Sequence, residues 1–286
     1  MIKKFSYIVY LFIKFLDQIL KIIFKRSCLI WFKEFLEQDS YRSIEVLGKK
    51  INLFTPNHVV EGRVKTFFTK EPETLEWIDG FNSTRKIILW DIGANIGLYS
   101  IYAALKHSNC EIVSFEPSTS NLRTLSRNIS INNLEDRIKI FTSPLSNKTD
   151  RFLKMKEGQF VEGGALNSFG EEYNFEGKKF DSSMNYQLIG KSIKSILENK
   201  ILDVPNYIKI DVDGIEHLIL EGADRYLGDD KLKSLSIEIN ENFTEQHDKA
   251  LKIMKEYNFK ILHKKQNREM YKSSKHNNTF NYIFVR

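Results

Sequence analysis

Residues 87–98 read IILWDIGANIGL, and the rest of the chain is organised around this stretch. An apolar run of strand length ends at Asp91, a glycine-containing turn follows, and residues 98–106 continue with the pattern of a helix. This order is typical of the first strand, turn and helix of a doubly wound α/β domain, in which ligands bind at the carboxyl ends of the strands. Gly93 and Gly97 lack a Cβ, so the backbone can turn sharply there and pass close to a ligand.

The middle of the turn differs from a dinucleotide-binding loop. That loop reads G-x-G-x-x-G, and its second glycine lets the backbone approach a pyrophosphate. Here Asn95 takes that position and Asp91 precedes the turn. An acid at a strand end suits a cationic ligand better than a phosphate, and S-adenosylmethionine (SAM) carries a sulfonium and an ammonium but no phosphate. We therefore expect Asp91, Gly93, Ala94, Asn95 and Gly97 to bind SAM; a nucleotide site and a purely structural turn are the alternatives.

The second predicted strand, residues 111–116, also ends in an acid. Glu116 comes about 20 residues after the turn, where a doubly wound sheet places the acid that accepts hydrogen bonds from ribose hydroxyls. A helix is predicted to follow over residues 118–132. By itself Glu116 could be a charge that favours a helix start. Together with the Asp91 turn, it favours ribose binding.

Several motifs occur in an order that resembles the FkbM family of SAM-dependent methyltransferases. The resemblance covers roughly residues 55–240 and implies a Rossmann-like class I methyltransferase, an α/β fold with a seven-stranded, mostly parallel sheet and helices on both faces. Residues 67–79, FFTKEPETLEWID, also resemble members found with bacterial surface-polysaccharide enzymes. The motifs are DIGANIGLYS (91–100), FEPSTSNL (115–122), Asn128, Asn132, PLSN (144–147) and IKIDVDGIEHLILEGADRYL (208–227).

The same resemblance implies two further contacts with SAM. The loop before the first core strand closes over the methionine end, and Glu71 is the candidate partner of its ammonium group; a pair of exposed acids at a helix start is the alternative. Many methyltransferases have an acid after the third strand that meets the adenine amino group. Here Ser143 stands nearest to that position, so a backbone or hydroxyl contact would serve instead.

Three acids are the candidate catalytic residues. Asp211 ends the fourth predicted strand, Asp213 follows within one turn, and Glu238 lies on the fifth strand. A sugar hydroxyl is a weak nucleophile, so we expect one of these acids to act as a base near it. A cation site and charges favoured by a helix dipole are alternatives for the first two acids. The spacing is loosely similar to magnesium-dependent O-methyltransferases, but we assign no metal site.

The helix predicted over residues 215–227 carries His217, a second possible base for which a solvent-facing position is the simpler interpretation. We expect residues 41–286 to form the methyltransferase domain. Residues 150–203 resemble the family least, and their glycine-rich stretch 157–164 is predicted to be a loop near the site. Such insertions commonly set acceptor specificity, because loops on a rigid scaffold tolerate variation.

The N-terminal residues 1–40 are predicted to be an amphipathic helical extension. Within residues 1–26 the longest uncharged run is about nine residues, well short of the ~20 that a membrane span needs. No cleavage site of a signal peptide follows this run. The wide apolar face could lie on a membrane surface, or pack on the domain or a second subunit. We expect a cytoplasmic protein. Contact with the inner face of the membrane is compatible with this location.

Composition narrows the classes of function. The two cysteines, Cys28 and Cys110, lie far apart and fit neither a disulfide framework nor a zinc site. The net charge of +6 is spread over many lysines, without an aromatic-interleaved basic motif, so no nucleic acid partner is expected. We predict O-methylation of a hydroxyl on a bacterial glycan or lipid-linked sugar. The alternatives are methylation of a small metabolite or RNA, and a SAM-binding scaffold without catalysis.

Overall fold

The computed structural model describes residues 1–272 and 274–286. Its centre is a sheet of seven of the described strands, in the order β11-β12-β10-β9-β3-β4-β5. The strands of the described residues are β1 (Tyr41–Val46), β2 (Lys49–Phe54), β3 (Ile87–Ile92), β4 (Cys110–Phe115), β5 (Ile138–Phe141), β6 (Phe152–Glu157), β7 (Ser168–Phe169), β8 (Met184–Ile189), β9 (Tyr207–Ile210), β10 (Ser234–Asn240), β11 (Lys260–Lys265) and β12 (Thr279–Val285).

The central sheet is parallel from β10 to β5, and β12 runs antiparallel to both of its neighbours. This confirms the predicted seven-stranded, mostly parallel sheet. β3 is followed along the chain by β4 on one side, while β9 pairs with it on the other. The strand order therefore reverses beside β3, and such a switch point opens a crevice at the carboxyl ends of the strands.

Helices cover both faces of the sheet, as predicted. The helices of the described residues are α1 (Ile2–Phe24), α2 (Leu29–Gln38), α3 (His58–Lys70), α4 (Pro72–Asp79), α5 (Leu98–Lys106), α6 (Thr119–Ser130), α7 (Ile193–Glu198), α8 (Glu216–Glu221), α9 (Thr244–Glu256) and α10 (Arg268–Tyr271). α3 to α6 contribute to one apolar cluster and α7 to α9 to the other. Ile87 and Leu89 of β3 point into the first cluster, and Trp90 and Ile92 into the second. Burial on both sides explains why this strand is apolar throughout.

Asn128 and Asn132 of the family-like motif connect α6 to the hairpin β1–β2. The Asn128 side chain accepts a hydrogen bond from the Phe54 amide at 2.8 Å and donates one to the Ile96 carbonyl at 2.9 Å. Asn132 exchanges hydrogen bonds with both backbone groups of Asn52, at 3.0 and 2.7 Å. The two asparagines thus join the hairpin to the glycine turn.

Residues 150–203 contain a small sheet beside the loop predicted at residues 157–164. β6, β7 and β8 form an antiparallel sheet in the order β7-β6-β8. The strand pattern of β6 is hard to recognise in the sequence, because a lysine occupies one of its buried positions. Lys156 is buried there and forms an ion pair with Glu172 at 2.5 Å. The predicted loop is confirmed, because residues 158–164 contain neither strand nor helix.

The single helix predicted over residues 215–227 is wrong. α8 ends at Glu221 and a 3₁₀ turn, Asp224–Gly228, follows. Gly222 lies between them, where a Cβ would come within 2.4 Å of the Ser146 carbonyl oxygen. The solvent-facing position of His217 is also wrong, because this side chain is fully buried and neither ring nitrogen has a hydrogen-bond partner among the described residues.

α1 and α2 form a helical hairpin at the N-terminus. Asp17 of α1 is buried and caps the start of α2. Its Oδ1 accepts hydrogen bonds from the Ser27 hydroxyl and the Cys28 amide, both at 2.7 Å, and Oδ2 pairs with Lys21 at 2.9 Å. None of the helices in the described parts of the chain has the length and apolar content that crossing a membrane requires.

Candidate active site

The glycine turn after β3 has the close packing that its sequence predicts. Gly93 has φ +85°, and a Cβ there would lie 1.9 Å from the Asp211 carbonyl oxygen. Gly97 has φ +86° and packs against Leu125, where a Cβ would meet Cδ1 at 2.5 Å. Asn95 also has a left-handed backbone, with φ 52°. The turn therefore brings β3, β9 and α6 together only because two of its residues are glycines.

Glu116 sits beside the turn with its carboxylate tied to backbone amides. Oε2 accepts a hydrogen bond from the Asn95 amide at 2.8 Å, and Oε1 accepts one from the Ser118 amide at 2.9 Å. Burial raises the pKa of Glu116 to about 7, although these hydrogen bonds act in the opposite direction. A carboxylate offers about four acceptor positions, so Glu116 can still accept two more hydrogen bonds. That capacity suits a ribose diol.

Three cavities meet at Gly93, Asn95 and Asp211, which line all of them. We name them by one distinctive residue each. The Glu116 cleft is further lined by Phe115, Glu116, Ser143, Leu145, Phe169, Asp213 and Ile219. The Tyr99 pocket is further lined by Arg63, Lys70, Glu71, Ala94, Tyr99 and Lys209. The Glu238 cavity, about 480 Å³ in volume, is further lined by Arg63, Lys70, Glu71, Glu73, Asp213, Glu238, Gln266, Tyr271, His276 and Asn281.

Two of the expected SAM-binding residues do not line these cavities. Asp91 is buried beneath the turn, where its Oδ2 accepts a hydrogen bond from the Ser100 hydroxyl at 2.6 Å. Its other carboxylate oxygen, Oδ1, is buried and lacks a partner among the described residues. Gly97 faces Leu125 instead. Both residues support the conformation of the turn without lining a cavity.

The Tyr99 pocket is strongly charged. Glu71 pairs with Lys70, with Nζ to Oε1 at 2.6 Å. Burial raises the pKa of Glu71, but the charges of Lys70 and Lys209 and the hydrogen bond from Lys70 together outweigh burial and hold the pKa below its ordinary value. Arg63 donates a hydrogen bond to the Gly163 carbonyl at 2.6 Å, which ties α3 to the glycine-rich loop. Glu71 therefore lies at the pocket and already has a cationic neighbour.

Asp211 and Glu238 have opposite protonation tendencies. The Lys209 ammonium lies 2.7 Å from Asp211 Oδ2. Burial raises the pKa of Asp211, but Lys209 and Lys70 more than offset this and lower it to about 2. Burial, and then the charge of Asp211, raise the pKa of Glu238 well above its ordinary value. Asp211 is thus ionised at neutral pH, and Glu238 is much the weaker acid of the two.

Carboxylate oxygens of Glu71, Asp211 and Glu238 lie within 4.8 Å of one another. This spacing suits a cation, since hard cations take oxygen ligands. However, the ammonium groups of Lys70 and Lys209 already face two of the three carboxylates at 2.6 and 2.7 Å. The counter-charge that the cluster needs is therefore supplied by side chains.

Asp213 has an intermediate acidity and a strained backbone. Burial, and then the charge of Asp211, raise its pKa to about 6. Its Oδ2 accepts a hydrogen bond from the Leu166 amide at 2.6 Å, and its backbone has φ 65°. Glu216 holds this segment in place, because its carboxylate accepts hydrogen bonds from the amides of Val212 and Gly214 at 3.1 and 3.0 Å.

Several residues of the site were not predicted from the sequence. Lys209 had a recognisable signal, since a lysine inside the apolar strand YIKI is buried only when it is paired. Its ammonium also lies 5.0 Å from the centre of the Tyr99 ring. The remaining residues gave no local signal, because they reach the site from α3, from the start of α4 and from the segment around β12. They are Arg63, Lys70, Glu73, Gln266, Tyr271, His276 and Asn281.

Comparison with known proteins identifies the family. The Methyltransferase FkbM domain matches residues 91–261. "Methyltransferase sdnD" of Sordaria araneosa is 26% identical over 179 residues, which are 55% of this chain and 68% of that protein. A Streptococcus mutans structure described as a candidate SAM-dependent methyltransferase has a TM-score of 0.50 at 10% identity, covering 86% of this chain and 56% of that one.

A further solved structure, Pyrococcus horikoshii TYW2 in complex with MeSAdo, is similar with a TM-score of 0.45 at 13% identity. The match covers 86% of this chain and 70% of that one. The family domain spans β3 to β11 and includes the glycine turn, Glu116 and the acids of β9 and β10. The chain belongs to the FkbM family and is a SAM-dependent methyltransferase.

Proposed function

We propose that the protein transfers the methyl group of SAM to a hydroxyl of a bacterial glycan or lipid-linked sugar. The observation that carries this proposal is the meeting of the three cavities at Gly93, Asn95 and Asp211. Adenosine fits the Glu116 cleft and the methionine end fits the Tyr99 pocket. The sulfonium then lies at the junction and faces the Glu238 cavity, which is left for the acceptor.

The roles of the chain's own residues follow from their positions. Glu116 accepts hydrogen bonds from the ribose, and Ser143 lies where it can meet the adenine. Glu71 meets the ammonium group, while Arg63 and Lys70 in the same pocket suit the carboxylate of the methionine end. SAM, when bound, supplies the electrophilic methyl group. Holding both reactants in attack geometry can lower the activation free energy by roughly 7–11 kcal/mol.

Asp213 is the best candidate for the general base. A base is most effective when its pKa is near the working pH, and the pKa of Asp213 is raised to about 6. Asp211 is more acidic, so it is the weaker base and serves to stabilise the positive charge at the junction. Glu238 lines the same cavity, where its carboxyl group can hydrogen-bond to the acceptor and orient it. All three face the Glu238 cavity.

The lining of the Glu238 cavity supports a sugar as the acceptor. Carboxyl, amide, phenol and imidazole groups surround it, and such groups hydrogen-bond to several hydroxyls at once. The resemblance of residues 67–79 to polysaccharide-associated members supports the same class. RNA is disfavoured because residues 29–286 carry 37 basic and 36 acidic side chains, a net charge of only +1.

The test is methyl transfer from labelled SAM to a panel of acceptors: sugars, lipid-linked sugars, small polar metabolites and RNA. We expect transfer to a sugar hydroxyl. The Asp213→Asn variant should lose about 10²–10⁴-fold in turnover, and the wild-type rate should rise with pH through about 6. Asp211→Asn and Glu238→Gln should also lower turnover. The exposed Glu45→Gln is the matched control and should behave as wild type.

Affinity for S-adenosylhomocysteine (SAH), measured by calorimetry, separates catalysis from donor binding. The catalytic variants should keep it within a few fold. Full turnover in Asp213→Asn, Asp211→Asn and Glu238→Gln would remove these acids from the mechanism. If methyl transfer occurred only to RNA or only to a small metabolite, the proposed sugar acceptor would be wrong. SAH binding without transfer to any acceptor would favour the scaffold alternative.

A further inference from the structure

The N-terminal hairpin, residues 1–38, leaves an unusually apolar surface exposed. Of the thirty large apolar side chains that are exposed in the described residues, twenty lie between Met1 and Leu36. Ile8, Phe12, Phe15 and Ile19 form one stripe of α1 and are 38–65% exposed. Trp31 of α2 is 57% exposed. A contiguous patch of this kind marks an interaction surface rather than a free one.

The first 28 residues of the hairpin carry nearly all of the net charge of the protein. Residues 1–28 contain six lysines and arginines and one acid, a net charge of +5 out of +6 for the chain. Asp17, the single acid of these 28 residues, is buried and paired with Lys21 at 2.9 Å, so the exposed charge of α1 is entirely positive. α2 adds Lys33, Glu34 and Glu37. Because the rest of the chain is nearly neutral, basic charge is concentrated on the exposed apolar helix.

We propose that the N-terminal hairpin binds the interface of an anionic phospholipid bilayer. An apolar stripe flanked by lysines is the pattern of helices that lie in the plane of a membrane surface. Anionic lipid explains both features at once, whereas a second copy of this chain would bring equal positive charge against α1. This inference does not depend on which acceptor is methylated.

Salt bridges fix the hairpin to the catalytic domain in a defined orientation. Glu37 of α2 pairs with Arg123 at 2.5 Å and with Arg127 at 2.6 Å, both on α6. Arg123 also pairs with Glu162 of the glycine-rich loop at 2.6 Å. The next residues of that loop border the site, because the Gly164 carbonyl accepts a hydrogen bond from Asn95 at 2.7 Å. A bilayer bound by the hairpin would therefore lie on the side of the domain that carries this loop.

The test uses the full chain and needs neither SAM nor an acceptor. Co-sedimentation is measured with phosphatidylcholine vesicles and with vesicles that also contain phosphatidylglycerol. We expect binding to the anionic vesicles, little binding to phosphatidylcholine alone, and weaker binding as salt is raised. The Ile8→Ser/Phe12→Ser variant should bind at least about 50-fold more weakly. Phe152→Ser/Leu262→Ser is the matched control, with two equally exposed side chains elsewhere, and should bind as wild type.

Charge is tested separately from apolar contact. Each substitution in the series Lys3→Gln, Lys4→Gln and Lys14→Gln should weaken binding to anionic vesicles about fivefold. Circular dichroism and SAH binding establish that every variant is folded. Failure of the folded wild type to bind anionic vesicles would overturn the proposal, as would unchanged binding by Ile8→Ser/Phe12→Ser. A dimer in solution that this variant converts to a monomer, without vesicle binding, would assign the surface to a second copy instead.

Discussion

The Glu116 cleft and the Glu238 cavity share Gly93, Asn95 and Asp211, yet the two are built differently. The cleft depends on backbone groups: two glycines in left-handed conformations, and amides that hold Glu116. The cavity depends on long side chains from α3, β10 and the segment around β12, with pKa values that are displaced in both directions. The backbone part of the proposed SAM site is therefore encoded over a short stretch of sequence, and the proposed acceptor site over most of the chain.

The largest effect should come from the backbone of the cleft. Gly93→Ala places a Cβ 1.9 Å from the Asp211 carbonyl oxygen, so the turn or β9 must move. We expect SAH affinity to fall by at least about 100-fold in calorimetry, together with a lower melting temperature. Gly48→Ala is the control, because it has a similar φ of +74° but nothing within 4 Å of the added Cβ. Normal SAH binding by Gly93→Ala would mean that the close approach is dispensable.

The buried charges around Asp211 are tested by removing the cation of Lys209. Lys209→Met leaves Asp211 and Asp91 without their nearest positive charge, and Lys209 is only 2% exposed. Breaking a buried pair should cost about 3–5 kcal/mol in the free energy of unfolding, measured by urea denaturation. Lys86→Met breaks the exposed pair with Glu111, and Lys139 still pairs with that acid. This control should cost less than about 1 kcal/mol, and equal costs would contradict the distinction.

A third test measures how SAH binding in the Glu116 cleft depends on pH. Burial raises the pKa of Glu116 to about 7, and only the ionised carboxylate offers all its oxygens to the ribose. SAH affinity should therefore rise as pH increases through about 7. Glu116→Gln should weaken SAH binding about 10–100-fold at pH 8 and flatten the pH dependence, because hydrogen bonds to charged groups contribute about 1.5–3 kcal/mol.

The control for Glu116→Gln is the exposed Glu135→Gln. It removes one negative charge and should leave both SAH affinity and its pH dependence unchanged. The raised pKa also affects folding: since the folded state binds the proton more tightly, Glu116 should lower stability as pH rises from about 4.5 to about 7. A wild-type SAH affinity that does not vary across this range would show that Glu116 is already ionised before SAM binds.

The features of the cleft could be predicted from the sequence, whereas most of those of the Glu238 cavity could not. The sheet, the glycine turn and the position of Glu116 follow from short-range patterns: apolar strands, glycines and an acid at a fixed interval. The cavity side chains Arg63, Tyr271 and His276 have no such pattern, because only the folding of distant segments brings them together. His217 was misplaced for a related reason, since burial by Phe243 and its neighbours leaves no mark on the helix that carries it.

Strands β6 and β8 show where composition misleads. β8 reads MNYQLI and alternates between partly buried and exposed positions, which is a strand pattern. β6 carries two lysines, and one of them is buried only because Glu172 pairs with it. The strand pattern of β6 is therefore harder to recognise from local composition than that of β8.

The smallest effect should come from Ser143, which lines the cleft where we propose that adenine binds. Ser143→Ala removes one hydroxyl, and a neutral hydrogen bond contributes about 0.5–1.5 kcal/mol, so SAH affinity should fall about 2- to 12-fold. The hydroxyl should also help to distinguish adenine from its 6-oxo analogue, and the variant should lose that preference. Ser126→Ala, at an exposed position on α6, is the control. An unchanged affinity would mean that backbone groups alone recognise the adenine, and the cleft would then rely on the main chain even more than its glycines indicate.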